Sequence, residues 1–372
     1  ARDAGLGVVW GLPYPGAYAS SAALDSVDVP EWNSTDAFAL LDAFGERFAA
    51  VELAEELVPT PNSTSFANLV AAYKALREKT SGREIRGPCV GMAAETSGDE
   101  RCLSAACAPS PFLAAFLELE LVDVVCVHSY DNDAGENWTT TPGLASQLAR
   151  QLESLQKDTT APLACGECGP HNEGGVPGKT DTVASSFWFL DALGRAARLG
   201  VRDFGRQALL GANYGLLSND PARYAAPNPD FFVAAMWTRL MGPVVLDVTV
   251  PPGATHVYAH CSGPQHVALA FVSVAEGAAF LDLRDVVVDG RLWEEWIFTT
   301  PDLDGKTLVL NDDPVDADAP LLHHLPPKLA MIQRILRVPP LAFGFLRIPA
   351  SHPACRQIPL SAAAPGEDAV YS

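Results

Sequence analysis

Six short apolar runs, each followed by a stretch with helical periodicity, recur before residue 240, near residues 5–12, 48–54, 85–91, 122–129, 162–166 and 201–209. Runs that start roughly 40 residues apart leave room for one strand, one helix and their loops, which is the βαβ unit of a parallel sheet. The stretches between them agree. Phe66, Leu69, Val70, Tyr73 and Leu76 share one helical face, as do Leu144, Leu148, Leu152 and Leu155. Val183, Phe187, Leu190 and Leu193 form a third stripe, with Thr180 or Asp181 placed to cap it.

After Met241-Gly242-Pro243 the pattern changes to short alternating segments, Thr255 to His260, Val267 to Val272, Ala279 to Leu283 and Thr307 to Leu310. Asp289-Gly290 and Asp304-Gly305 are turn signals between them, and the whole predicts an antiparallel β-sandwich. The expected division is therefore an α/β domain over 1–242, a sandwich over 243–358 and a flexible tail over 359–372. Six strand-helix units are two fewer than close a (β/α)8 TIM-type barrel, so either the sheet is open or the barrel lacks its first two βα units.

Charge narrows the partners. A net charge of −20, from 45 acidic against 25 basic residues, repels nucleic acid and anionic lipid. It also counts against a highly sulfated polyanion as an easy substrate. No apolar run reaches the length of a membrane span, so no transmembrane segment is expected. No signal peptide is visible at Ala1, the start expected of a chain shortened by processing or truncation. Sequons at Asn33, Asn62 and Asn137, with 8 cysteines, point to a secreted, extracellular or lysosomal glycoprotein.

Two acidic positions carry the chemistry. The fifth run ends Pro162-Leu-Ala-Cys-Gly-Glu167-Cys-Gly, and a carboxylate where an apolar strand meets a Gly-rich loop is a group that a core would not select. Parallel α/β barrels place catalytic groups at that end of their strands. The second run ends Val51-Glu52-Leu-Ala-Glu55-Glu56-Leu57, where alternation sets Glu56 on the side of Glu52. Glu56 and Glu167 fit the acid/base and nucleophile of glycoside hydrolysis; the bland alternative is that Glu55-Glu56 opens a solvated loop. Asn172-Glu173 follows Glu167 on the same loop, the wrong place for an opposed acid.

Other motifs argue for less. Cys165-Gly-Glu-Cys168 has the spacing of a redox or zinc pair, but it stands alone, and Cys165 is expected to be a buried strand thiol. Cys102 and Cys107 are near enough to pair, Cys126 is expected in the core, and Cys89 is left open. His323-His324 is read as a surface or domain-contact pair. No Gly-x-Ser-x-Gly elbow and no phosphate loop occurs, and neither metal nor cofactor is expected.

One long stretch is specific. Gly166-Glu167 leads through Gly174-Gly175-Val-Pro177 to Asp181 and Leu190-Asp191, then Leu193-Gly194, Arg206-Gln207 and Asn213-Tyr214. In that order these residues resemble the heparanase-like β-glucuronidase family of glycoside hydrolases. Weaker similarity covers Glu31 to Ser34, Gly87 to Gly91, Val127 to Tyr130, Val257 to Cys261 and Pro353 to Cys355. The resemblance implies a retaining two-glutamate hydrolase of β-linked uronic-acid glycans, with Glu167 as nucleophile and Glu56 as acid/base. It implies that Tyr130 or His128 orients Glu167, and that Glu55, His128, Tyr130, Gly174, Gly175, Arg206, Gln207, Asn213 and Tyr214 belong to the sugar pocket. It also implies a Cys261–Cys355 disulfide, and a small N-terminal subunit as the source of the first two βα units.

This chain departs from the family at three places. Glu55 replaces an Asn that donates to the sugar's 2-hydroxyl, a bond that an ionised carboxylate cannot make. Met92-Ala93-Ala94 replace polar and basic contacts, and Asn172-Glu173 replace a Tyr and a Gly. These changes support an alternative, an inactive family member that binds a glycan or a protein.

Overall fold

The computed structural model describes residues 7–12, 14, 30–44, 47–53, 57–80, 82–91, 111–131, 144–284, 292–315, 325–331, 335–350 and 352–358. Glu55, Glu56, Met92, Cys102, Cys107, Asn137, Asp289-Gly290, His323-His324 and the expected tail 359–372 lie outside the described residues. The chain divides into two compact units, Ala1–Tyr130 with Ser146–Cys168 and Leu199–Arg206, and Asp131–Ala145 with Gly169–Arg198 and Gln207–Ser372.

The first unit is built on a parallel sheet of β1 (Val9–Leu12), β2 (Ala50–Leu53), β3 (Glu84–Gly91), β4 (Val124–Tyr130), β5 (Leu163–Gly169) and β6 (Asp203–Arg206). All six expected runs are strands. They pair in chain order, β1-β2-β3-β4-β5-β6, which is the winding of a barrel wall; a doubly wound sheet reverses its order partway. Helices α1 (Thr35–Phe44), α2 (Thr64–Lys79), α3 (Pro111–Leu117) and α4 (Ser146–Asp158) belong to the same unit. Ser63 caps α2 by accepting from Phe66 N at 3.1 Å, a contact worth about 1 kcal/mol. That helix buries Leu69, Ala72, Tyr73 and Leu76, and the Tyr73 hydroxyl donates to Leu53 O at 2.5 Å.

The second unit holds α5 (Val183–Arg198), α6 (Pro229–Leu240) and antiparallel sheets. The larger sheet runs β13-β12-β11-β16-β9-β8-β7, with β14 also on β11. Its strands are β7 (Val245–Leu246), β8 (Thr255–Cys261), β9 (His266–Ser273), β11 (Leu292–Thr299), β12 (Val309–Leu310), β13 (Asp313–Pro314), β14 (Lys328–Met331) and β16 (Ala342–Pro349). A separate pair, β10 (Ala279–Asp282) and β15 (Ile335–Val338), adds Leu281, Leu336 and Val338 to a core with Val257, Leu269, Phe271 and Ile348. The opposite face of the larger sheet meets α5, where Phe187 packs edge-on against Phe343 at 5.4 Å. Tyr258 fills the place that a Cβ on Gly194 would need, 2.2 Å away. Cys261 and Cys355 are joined by a disulfide, the pairing that the resemblance implies.

One local expectation fails. Neither Thr180 nor Asp181 caps α5. Thr180 donates to Asn213 O at 2.6 Å, and Asp181 accepts from Gly178 N and pairs with Lys306. The first helical N–H groups, of Val183 and Ala184, instead meet the carbonyls of Gly305 and Leu303, so tertiary acceptors do the work of a local cap.

Candidate active site

Alternation along β4 sets Cys126, His128 and Tyr130 on one face and Val125, Val127 and Ser129 on the other. Ser129 donates to Gln151 of α4, so the second set faces the helices. The first set points the opposite way, into the concave side of the sheet. Glu52 of β2 reaches the same side, where the Cys126 thiol donates to its Oε1 at 3.6 Å. Glu167 of β5 reaches it too, and the Tyr130 hydroxyl donates to Glu167 Oε1.

A bulge aims Glu167. Ala164 and Cys165 pair with Asp203 and Phe204, but Cys168 pairs with Arg206, so β5 carries one residue more than β6 across Gly166-Glu167. Gly205 stands opposite, and a Cβ there would lie 2.2 Å from Gly166 O, which excludes any other residue without movement. Cys165 is not a lone core thiol: it is bonded to Cys168, contrary to expectation. Three regular strand steps would span about 10 Å, whereas the bulge draws the two Cα atoms to 6.0 Å. The cross-link therefore brackets the residue that carries the carboxylate.

Of the two groups expected to orient Glu167, Tyr130 makes the bond. His128 lies lower on β4 and is hydrogen-bonded to Cys126. Hydrogen bonds from Cys89 and then His128 hold the Cys126 thiol below its ordinary range, although burial pushes the other way. Arg206 sits in register with Cys168 at the end of β6.

The sugar-pocket residues expected in the second unit form a tight pair of loops. Asn213 N donates to Gly174 O at 2.7 Å, and Gly175 N donates to Asn172 O at 2.9 Å. Gly174 and Gly175 adopt φ of 86° and 76°, and a Cβ on Gly175 would lie 2.5 Å from Thr180 Oγ1 and 3.0 Å from Tyr214 Cδ1. Only glycine fits there. Gln207 begins the same connection, in which Leu210 and Leu217, on either side of Tyr214 in the chain, form an isolated parallel bridge. Asn33 and Asn62 are exposed, as glycan acceptors need to be.

The bulge, Gly205 and the Cys165–Cys168 bond escaped the sequence. One signal was available: a glycine inside a four-residue strand, Asp203–Arg206, marks a close backbone approach.

The fold is similar to those of solved glycoside hydrolases. The chain resembles in fold a Paenibacillus polymyxa xyloglucanase of glycoside hydrolase family 44, with a TM-score of 0.55 at 14% identity over 94% of this chain and 82% of that one. It also resembles a family 30 xylanase of Clostridium acetobutylicum, with a TM-score of 0.54 at 12% identity over 93% and 80%. In sequence it is a relative of heparanase-like proteins. It is 30% identical to heparanase-like protein 1 of Arabidopsis thaliana over 62% of this chain and 50% of that protein. It is also 30% identical to the baicalin-β-D-glucuronidase of Scutellaria baicalensis over 59% and 43%. With the heparanase of Gallus gallus the identity is 35% over 27% of this chain and 19% of that protein. The chain spans about half the length of the first of these relatives. No protein-family model matches it. No helix among the described residues is long and apolar enough to cross a membrane.

Proposed function

We propose that this chain carries the nucleophile of a retaining glycoside hydrolase acting on β-linked glycans that contain uronic acid. The observation that bears most weight is Tyr130 donating to Glu167 Oε1 at a bulged strand end. A tyrosine that holds one carboxylate oxygen fixes the direction in which the other can attack. Glu167 then displaces the aglycone: its oxygen bonds to the anomeric carbon as the glycosidic C–O bond breaks. Glu56 gives its proton to the departing oxygen, then takes one from the water that releases the sugar with retained configuration.

The assignment of Glu56 rests on the resemblance and on the strand it follows, whose Glu52 faces the same concave side. His128, Arg206, Gln207, Gly174, Gly175, Asn213 and Tyr214 are the groups proposed to bind the sugar. Two further βα units complete the cylinder in this proposal, supplied by a small N-terminal subunit or a longer parent chain, because barrels of this class close with eight strands. The residues after 242 are the β-sandwich that accompanies it. Secretion or lysosomal residence, with glycans on Asn33, Asn62 and Asn137, fits the disulfides and the sequons.

A 2-deoxy-2-fluoro β-glucuronide with an activated leaving group tests this directly. The expected result is a stable adduct on the peptide containing Glu167, seen by mass spectrometry, and a β-configured first product from the unfluorinated substrate. An α-configured product, or label on a different acid, would overturn the mechanism. Absence of turnover even with the two N-terminal units restored would favour a glycan-binding protein.

A further inference from the structure

Deeper along the concave face of the sheet, donor groups from three adjacent strands converge. One ligand atom each from Glu52 on β2, Cys89 on β3 and Cys126 on β4 lies within 4.8 Å of the other two. Both cysteines are buried and neither is in a disulfide. We propose that these residues form a binding site for a thiophilic divalent cation of the zinc class.

The donor set selects the ion. Two sulfurs and a carboxylate suit zinc, whereas magnesium and calcium demand oxygen. Each thiol gives up its proton to solvent as the ion binds.

The backbone supplies an independent argument. Pro88 pairs with Cys126 and Val90 with Val127, so Cys89 is the extra residue of a bulge in β3. Residues paired across a parallel ladder point to the same side, so Pro88 shares the side of Cys126 and a regular β3 would turn Cys89 towards the helices. The bulge returns its sulfur to the face of Cys126. It does so at φ 53°, in the left-handed region where a residue with a Cβ is strained. A core thiol placed only for packing has no need of that conformation. An ion held by all three residues would fasten β2, β3 and β4 to one another, whether or not the chain turns over a glycan.

The test uses the full chain with the Cys165–Cys168 and Cys261–Cys355 bonds intact, stripped with a chelator and titrated with Co2+. The expected result is a near-ultraviolet sulfur-to-cobalt charge-transfer band that saturates at about one ion per chain and is displaced by Zn2+. Cys89→Ser and Cys126→Ser should each weaken binding about a hundredfold or more, and Glu52→Gln by less. If a cysteine variant fails to fold, the shape-preserving Glu52→Gln still reads the site. Cys102→Ser with Cys107→Ser should leave the band unchanged. Three outcomes would overturn the proposal: no band from the folded chain, a band that survives loss of both Cys89 and Cys126, or a Cys89–Cys126 disulfide in a non-reducing peptide map.

Discussion

Glu167 and Asp191 are carboxylates in largely apolar surroundings, one in each unit, and the protein treats them in opposite ways. Glu167 is partly exposed at a strand bulge, and Tyr130 is the donor it meets among the described residues. Asp191, on α5, has a side chain 0% exposed and is saturated. It accepts from Ala145 N at 3.0 Å, Arg195 Nε at 2.7 Å and the Tyr258 hydroxyl at 2.5 Å, and His256 Nδ1 lies 2.6 Å away. Burial by itself would raise the Asp191 carboxyl, but the bond to His256 and the charge of Arg195 outweigh it and hold the group below its ordinary range. Burial, then the adjacent Asp191, pushes the Tyr258 hydroxyl far up. A carboxylate with every lone pair taken can anchor a fold and do nothing else, whereas one with an oxygen to spare can attack. Both residues lie in the stretch that carries the family resemblance, so similarity of sequence does not tell them apart. Their surroundings do.

Exchanging the two roles by mutation is the strongest challenge to this contrast. Glu167→Gln should cut turnover of an aryl β-glucuronide about ten-thousandfold and leave the melting temperature unchanged. Asp191→Ala should do the reverse, destabilising the protein by about 3–5 kcal/mol in urea unfolding because Arg195 loses a buried partner. A large stability loss from the first, or none from the second, would erase the distinction.

Smaller effects sharpen it. Gly205→Ala forces a Cβ against Gly166 O and should cost about 1–3 kcal/mol, with a fall in turnover as the bulge is pushed open. Tyr130→Phe should lower kcat about tenfold to a hundredfold at unchanged stability, since it removes one bond to a charged group. The mildest effect is on pH dependence. A carboxyl depressed in the folded state adds stability above its unfolded value of 3.8, and that contribution is lost as pH falls through the lower folded value. Acid unfolding of Asp191→Ala should therefore begin from lower stability and show a shallower slope below pH 4 or so.

Much of the first unit was legible because period and spacing are local properties. Every apolar run became a strand, and Glu167 stood out because a charge at the end of such a run has no place in packing. The residues around it were hidden for a physical reason. A bulge depends on the partner strand, so neither the Cys165–Cys168 bond nor the turn of Cys89 towards Cys126 follows from the order of residues. Glu52, Cys89 and Cys126 are evenly spaced along the chain, but that interval is the strand-helix repeat and matches no ligand motif. The cap of α5 was misjudged likewise, because Gly305 and Leu303 are remote in sequence from the N–H groups they accept.

The Cys261–Cys355 bond encloses 94 residues of sequence separation, most of the antiparallel part of the chain. A protease that cuts anywhere inside that span leaves the fragments covalently tethered. Clipped and intact forms would then migrate alike on a gel until reductant is added, so the protein can be nicked there without falling apart.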